Sequence, residues 1–219
     1  MLWTPPRQWE GQDVYLIGGG ASLQSFDFNL LIGRNTIGSN DAFRLGSEII
    51  QICLFGDASW FHKNKFDLEK FGGTIVTCAP SLMTLNTPML KQMKRAREGL
   101  AKGSNLGWNF STGASAINLA ISLGAKRVFL LGYDLCLVNE KSHWHDKRPH
   151  VTRDAIFIRF QRGFKCISEH LVNYDVKVVH VMDGVSKLPF FQQMSFEQFH
   201  THLKRPMNAV EEQDLEYSI

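Results

Sequence analysis

The sequence of 219 residues lacks several features by which protein classes are recognised. It has no apolar run near the roughly 18 residues that a membrane-spanning helix needs, and its first residues show no apolar segment typical of a signal peptide. Its four cysteines have no CxxC spacing and lie mostly in apolar runs. We therefore expect a cytoplasmic protein without a membrane span, whose cysteines are reduced thiols in the core.

Three catalytic motifs are also absent. Without a GxxxxGK(S/T) loop the chain is not expected to be a P-loop NTPase, and without a GxSxG elbow serine hydrolysis is not expected. No DxD pair occurs, although glycosyltransferases that hold a diphosphate through a divalent metal usually need one. These absences favour, for a transferase, one that uses neither a metal nor another cofactor.

The charge is nearly balanced, with 24 basic and 21 acidic residues and a net charge of +3. This balance does not by itself indicate nucleic-acid binding. The one local excess is KQMKRAREGLAK over residues 91–102. We predict a solvated helix face there. The alternative is an arm that contacts an anionic acceptor or a nucleic-acid backbone.

Short apolar runs alternate with helical patterns along the chain. Strands are predicted at 13–17, 34–38, 49–55, 73–77, 127–131 and 176–181. Helices are predicted at 112–123 and at 154–174, where Ile158, Phe164, Ile167 and Leu171 would share a buried face. Near-continuous apolar runs suit strands that are buried on both faces. The alternation predicts an α/β fold with an open, doubly wound, mostly parallel sheet of the Rossmann type.

The domain organisation follows from composition. We predict a single nucleotide-binding domain over residues 1–204, with a loop or small lid near 80–110 and 136–153, and a polar tail over 205–219. The tail is also a candidate for an oligomer contact.

Polar and glycine residues stand directly after the predicted strands, whose carboxyl ends share one edge of such a sheet. Glycines there allow a ligand to approach the backbone, and a helix N-terminus that follows favours an anion. Ser22 is a candidate cap for the helix after the first strand. The residues concerned are Gly18, Gly19, Gly20, Ser22, Asn40, Asp57, Gly132 and Asp134.

A second group, NLGWNFSTG over 105–113, precedes the helix at 112–123. Ser111 or Thr112 is a good N-cap, and Gly113 permits close approach of a ligand. The pattern fits an ordinary capped helix and equally a nest of backbone amides that faces the same crevice.

Histidines cluster in SHWHDKRPH over 142–150. His143, His145 and His150 could together ligate a metal. Alternatively one of them is a general base, while the others and Arg148 position an anionic substrate. The HxxxH spacing of helical metal sites is absent.

Two segments resemble a known family. DVYLIGGGASLQSFDFNLLIGRNTIGSNDAF and, over 111–134, STGASAINLAISLGAKRVFLLGYD resemble the two motifs of the single-domain bacterial sialyltransferases that modify lipooligosaccharide. Similar motifs occur in pterin diphosphokinase-like proteins, and small phage and prophage proteins share the histidine-rich stretch. The resemblance implies the Rossmann-like fold of these enzymes and a homo-oligomer.

The resemblance also implies roles for individual residues. Gly18, Gly20 and Ser22 would lie against the nucleotide phosphate and ribose, Asn40 would contact the nucleotide, and Ser111, Thr112 and Gly113 would lie near the phosphate. Gly132 and Asp134 would border the base. His150, or else His145, would be the catalytic histidine, and Arg148 or Arg153 would neutralise the leaving phosphate. Ala21 replaces a proline of the family motif, and Leu135 replaces an aromatic residue.

Three functions follow from these observations. The first is a metal-independent glycosyltransferase that takes a nucleotide-sugar donor, such as a CMP-sugar, and a glycan or modified nucleic acid as acceptor. The second is a Mg²⁺-dependent nucleotide phosphotransferase with Asp57, Asp134 and Asp146 as metal ligands. The third is a non-catalytic nucleotide-binding protein of a phage.

Overall fold

The computed structural model describes residues 2–85, 87–145 and 154–204. Eight strands form one sheet and two short strands form a second. In chain order the strands are β1 (Asp13–Ile17), β2 (Thr36–Ser39), β3 (Ile52–Phe55), β4 (Thr74–Thr77), β5 (Leu90–Gln92), β6 (Lys94–Ala96), β7 (Asn105–Gly107), β8 (Arg127–Leu131), β9 (Lys177–Val181) and β10 (Gln192–Met194). The helices are α1 (Ala58–Leu68), α2 (Thr112–Ser122), α3 (Asp154–Leu171) and α4 (Phe196–Leu203).

The large sheet has the order β10-β9-β8-β1-β2-β3-β4-β5, and all of its pairs are parallel. The chain builds outward from β1 to β5, then returns to the other side of β1 and builds outward again from β8 to β10. The strand order therefore reverses between β1 and β8. This topology confirms the predicted open, doubly wound α/β sheet, and it predicts a ligand crevice beyond the carboxyl ends of β1 and β8.

Both faces of the sheet are buried, which explains the near-continuous apolar runs. On one face, Leu16 of β1 and Leu54 of β3 share a core with α2 and with Phe164 of α3. On the other, Ile17 of β1 packs with Phe199 of α4, while α1 covers the end near β3 and β4. The apolar side of α2, with Ala114, Ile117, Ala120 and Ile121, is buried, and this helix is almost fully enclosed.

The basic segment 91–102 is not the predicted helix. It contributes to β5 and β6, which are separated by the fully buried Met93. Main-chain bonds from Met93 N to Thr77 O (2.9 Å) and from Lys94 N to Ser104 O (2.8 Å) hold it against neighbouring chain. The charges are exposed at Lys91 and Lys94, as a solvated surface requires. Tertiary pairing has overridden the helical propensity of the segment.

Other strand and helix boundaries in the structure differ from the predicted ones by only a few residues. β2 begins at Thr36 rather than at 34 because residues 31–34 form a turn, in which Arg34 N donates to Leu31 O (3.1 Å). β3 begins at Ile52 rather than at 49 because residues 46–50 form a turn, in which Ile50 N donates to Gly46 O (2.8 Å). α3 ends at Leu171 rather than at 174. Its predicted buried face is wrong at Ile158, which is 66% exposed. The side chains that face inward are instead Phe157, Phe164 and Ile167, at spacings of seven and three residues that suit one face of a helix.

All four cysteines are free thiols, as predicted, and two of them, Cys53 and Cys78, are buried. Within the residues described, no helix combines the length and the apolar character that crossing a membrane requires. The predicted tail over 205–219 lies outside the described residues.

Candidate functional site

A cavity of about 730 Å³ lies at the carboxyl ends of the strands, where the strand order reverses. Residues from seven separate parts of the chain reach it. Of the residues predicted from the sequence, it is lined by Gly18, Gly19, Gly20, Asn40, Asp57, Ser111, Thr112, Gly113, Gly132, Asp134, His143 and His145. The sequence prediction therefore located residues that the fold brings into one cavity.

The turn after β1, residues 18–20, packs directly on the turn after β8. Gly20 N donates to Gly132 O (2.8 Å), and a Cβ on Gly18 would lie 2.5 Å from the same oxygen. A Cβ on Gly20 would lie 2.6 Å from the Asp134 carboxylate. Glycine is needed at these positions first of all because two backbone segments approach each other closely there. The same lack of side chains leaves the backbone of both turns at the cavity wall.

Ser22 does not cap a helix, which corrects the sequence prediction. It lies inside a short 3₁₀ turn, and both its backbone N (2.8 Å) and its Oγ (2.5 Å) donate to the Asp134 carboxylate. Burial raises the pKa of Asp134 above its ordinary value, and these hydrogen bonds oppose that rise. The Ser22–Asp134 contact therefore ties the two turns together, and Ser22 is not among the cavity-lining residues.

The amino end of α2 opens onto the cavity. Ser111 is its N-cap, as predicted, because Ser111 Oγ accepts from Ala114 N (3.1 Å). Phe110 just before it has a φ of 62°, a conformation that a bulky residue rarely adopts. Arg159 and Arg162 of α3 stack on the Phe110 ring at 5.4 and 5.5 Å. This helix start offers unpaired main-chain amides and a positive dipole to an anion.

The histidine-rich loop is anchored to the turn after β1 by Trp144. Its backbone N donates to Gly19 O (3.0 Å), and its Nε1 donates to Gly18 O (2.9 Å). This anchor places His143 over Gly19, with the two imidazole centroids of His143 and His145 5.4 Å apart. Ser142 Oγ lies 2.7 Å from His143 Nδ1.

The acidic residues at the cavity are engaged with neighbouring groups. Asp57 caps α1 by accepting from Ser59 N (2.8 Å), and Asp134 accepts from Ser22. Asp41 accepts from Trp60 Nε1 (3.3 Å). In the part of the chain that the structure describes, no three His, Cys, Asp or Glu residues are grouped as metal ligands. His150, Arg148, Asp146 and Arg153 lie outside the described residues.

One end of the cavity is apolar, and we call it the α3 end. It is formed by Tyr133, Leu135, Phe157, Phe160 and Phe164. Burial raises the pKa of Tyr133 far above its ordinary value, so its hydroxyl stays neutral. These aromatic and aliphatic surfaces can cover a planar ring.

Sequence reasoning missed most of the opposite end, apart from Asp57, and we call it the α1 end. It is formed by Asp57, Ser59, Trp60, Lys63, Asn64 and Trp108. The signal in the sequence is weak, because no spacing rule connects an aromatic residue before α2 with polar residues on α1. A tryptophan in a polar loop, as in NLGWNF, is the only local hint.

Comparisons with known proteins add little to this picture. No family model matches the chain, and no curated protein matches it. Among solved structures it is similar to the sialyltransferase CstII from Campylobacter jejuni, in complex with the substrate analogue cytidine-5'-monophosphate. The likeness covers 83% of this chain and 84% of that chain, at 13% sequence identity and a TM-score of 0.47. The chemistry of the site is therefore inferred from its own residues.

Proposed function

We propose that the protein is a glycosyltransferase that binds a nucleotide-activated sugar, such as a CMP-sugar, and transfers the sugar to an acceptor hydroxyl without a metal ion. The observation that carries this proposal is that two imidazoles, those of His143 and His145, share the cavity with the 18–20 turn and with the main-chain amides of the α2 start. A proton acceptor and an anion site are the two elements that such a transfer needs.

The anion site suits the phosphate of the donor. The first turn of α2 contains no acidic residue, so no carboxylate of that turn would repel an anion there. Its amides and dipole would stabilise the negative charge that develops on the leaving phosphate. His143 lies over Gly19, and in this proposal its imidazole hydrogen-bonds the same phosphate.

The chemical step is a single displacement. The acceptor hydroxyl oxygen forms a bond to the anomeric carbon while the bond from that carbon to the phosphate oxygen breaks, and the electron pair of that bond leaves with the phosphate. The proton of the hydroxyl passes to an imidazole. We assign this role to His145, because His143 is the imidazole nearer to the phosphate turn.

Metal independence is supported by the contacts of the acidic residues. Asp57 and Asp134 accept hydrogen bonds from main-chain amides, and the Asp134 carboxylate also binds Ser22 Oγ. A carboxylate that fixes two turns would have to give up these bonds to ligate Mg²⁺. The amides, rather than a cation, then supply the stabilisation of the phosphate.

Nucleotide binding is the first test. Melting temperatures are measured with CMP, CDP, UDP, GDP, ADP, ATP and CMP-sialic acid, each with and without EDTA. A ligand at about 100 times its Kd adds about 2.7 kcal/mol, which raises the melting temperature by several degrees. We expect a cytidine or uridine nucleotide to give this shift regardless of EDTA. A shift that needs both ATP and a metal would replace the proposal by a phosphotransferase, and no shift at all would refute it.

Removal of the general base is the second test. We expect His145→Ala to lower kcat by about two to four powers of ten while the Kd for the nucleotide stays constant. His200→Ala is the matched control, because His200 is an exposed residue of α4 that contacts the Phe26 ring. Full activity of His145→Ala combined with inactivity of His150→Ala would move the base to His150. Binding without turnover in the unmodified protein would indicate a non-catalytic nucleotide-binding protein.

A further inference from the structure

The α1 end of the cavity is separated from the phosphate site by one strand, β2, and therefore by two inter-strand spacings. The phosphate turn follows β1, whereas Asp57 and α1 follow β3. Because neighbouring strands lie about 4.8 Å apart, the phosphate turn and the α1 end are about 10 Å apart. The part of a ligand that occupies the α1 end is therefore not the phosphate. It contacts a different set of side chains.

Trp108 is the main surface of this end, and it is held rigidly. The Arg95 guanidinium stacks on the indole at 3.9 Å. Arg95 is itself fixed, because its Nε donates to Cys78 O (3.1 Å) and its Nη2 donates to Gly56 O. A Cβ on Gly56 would overlap the six-membered ring of Trp108, so only glycine admits the indole there. Trp108 is half-buried and lines the cavity.

Polar groups of several kinds line the same end of the cavity as this indole. Trp60 is fixed by its bond to Asp41, and Asn64 is fixed because its Nδ2 donates to Trp60 O (2.8 Å) while its Oδ1 accepts from Arg44. The Lys63 ammonium and the Ser59 hydroxyl also line the cavity. Neither of these two groups has a hydrogen-bonding side-chain partner among the residues that the structure describes.

An apolar platform ringed by single donors and acceptors fits a pyranose ring. One face of such a ring carries C–H groups that pack on an aromatic surface, and its edge carries hydroxyls that need hydrogen bonds at several angles. A nucleobase is planar and needs fewer such bonds, and the α3 end offers it a more apolar slot. The two ends therefore differ in the ligand part that each can hold.

We propose that the α1 end is the binding site for an acceptor sugar, with Trp108 as its stacking platform. This inference rests on the proposed function, since it divides one cavity between a donor nucleotide and an acceptor glycan. The donor then lies with its base at the α3 end and its phosphate at the 18–20 turn. The acceptor reaches the anomeric carbon from the side of β3.

The test measures sugar and nucleotide affinities separately. Binding of lactose, N-acetyllactosamine and methyl β-galactoside at millimolar concentration is followed by saturation-transfer NMR, and binding of CMP by calorimetry. We expect Trp108→Ala to weaken sugar binding at least about tenfold with CMP affinity unchanged. Trp108→Phe should retain part of the sugar affinity, and Gly56→Ala should weaken sugar binding as Trp108→Ala does. The control is Phe66→Ala, because Phe66 is an α1 residue that is 76% exposed and does not line the cavity.

Each result decides the question. Unchanged sugar binding in Trp108→Ala, or loss of CMP rather than sugar affinity, would overturn the inference, as would the absence of sugar binding to the unmodified protein. Retained CMP affinity shows that the variant is folded. A protein that binds these sugars at Trp108 but binds no nucleotide would instead contradict the proposed function and leave the sugar site standing.

Discussion

The turns after β1 and β8 and the α1 end of the cavity are built in different ways. At β1 and β8 the wall is backbone, where Gly18 and Gly20 meet Gly132 and the α2 start supplies amides. At the α1 end the wall is side chain, with an indole fixed by Arg95. A backbone wall can hold a group that every donor shares, such as a phosphate, whereas a side-chain wall can be changed by single substitutions. The difference suggests where specificity for a substrate would lie.

The largest effect that we expect is a loss of folding stability at acid pH, caused by a buried histidine that contacts the backbone of Tyr133. His180 of β9 is fully buried, and its Nδ1 lies 2.7 Å from Ser186 Oγ. Its Nε2 lacks a partner of good geometry among the described residues and makes only a weak contact with the Tyr133 backbone, which borders the turn after β8. Burial lowers the pKa of His180 from 6.5 to about 4. The histidine is therefore neutral in the folded protein at neutral pH.

The sign of the pH effect follows from proton counting. Between pH 6.5 and about 4 the unfolded chain binds a proton at this position that the folded chain does not bind. The stabilisation is thus complete above pH 6.5 and is lost as the pH falls, by about 3 kcal/mol in total. Chemical unfolding at a series of pH values should show this slope, and His180→Gln should abolish it. An equal slope in both proteins would contradict the prediction.

The second comparison contrasts two adjacent glycines of the backbone wall. A Cβ on Gly18 would meet the immobile Gly132 O at 2.5 Å, whereas one on Gly19 would meet only His143 Cδ2 at 3.0 Å. We expect Gly18→Ala to lower the free energy of unfolding by about 2 kcal/mol, because neither backbone can give way. Gly19→Ala should cost less than about 1 kcal/mol and should instead lower kcat, because it displaces an imidazole. Equal stability losses would show that His143 is as rigid as the backbone.

These contrasts also explain how much the sequence could predict. The strand ends 18–20 and 132–134 were identified because glycine after an apolar run has a local physical meaning. The Ser22–Asp134 bond was missed because it joins residues 112 positions apart. A local helix cap also explained a serine at position 22, so no distant partner was sought. Segment 91–102 was mistaken for a helix because its many charges hid the buried Met93, which packs in the core.

The α1 end could not be predicted for a related reason. Arg95, Gly56 and Trp108 come from three elements, and only the order of the strands brings them together. Arg95 stands among exposed lysines in the sequence, so its half-buried position depends on the pairing of β6 with β7. Single-residue chemistry indicates which groups can form a site, whereas long-range pairing decides which of them do.

The smallest effect tests whether the α2 start serves the ligand as well as the fold. Ser111→Ala removes the bond to Ala114 N and should cost about 1 kcal/mol in the free energy of unfolding. Ser195→Ala is the matched control, because Ser195 caps α4 in the same way, by accepting from Gln198 N (3.1 Å), and is not among the residues that line the cavity. We expect similar losses of stability from both variants, measured by urea unfolding, but a weaker Kd for CMP only in Ser111→Ala. The helix start would have a purely structural role if both variants bound CMP as the unmodified protein does, and phosphate binding would then depend on the 18–20 turn and His143.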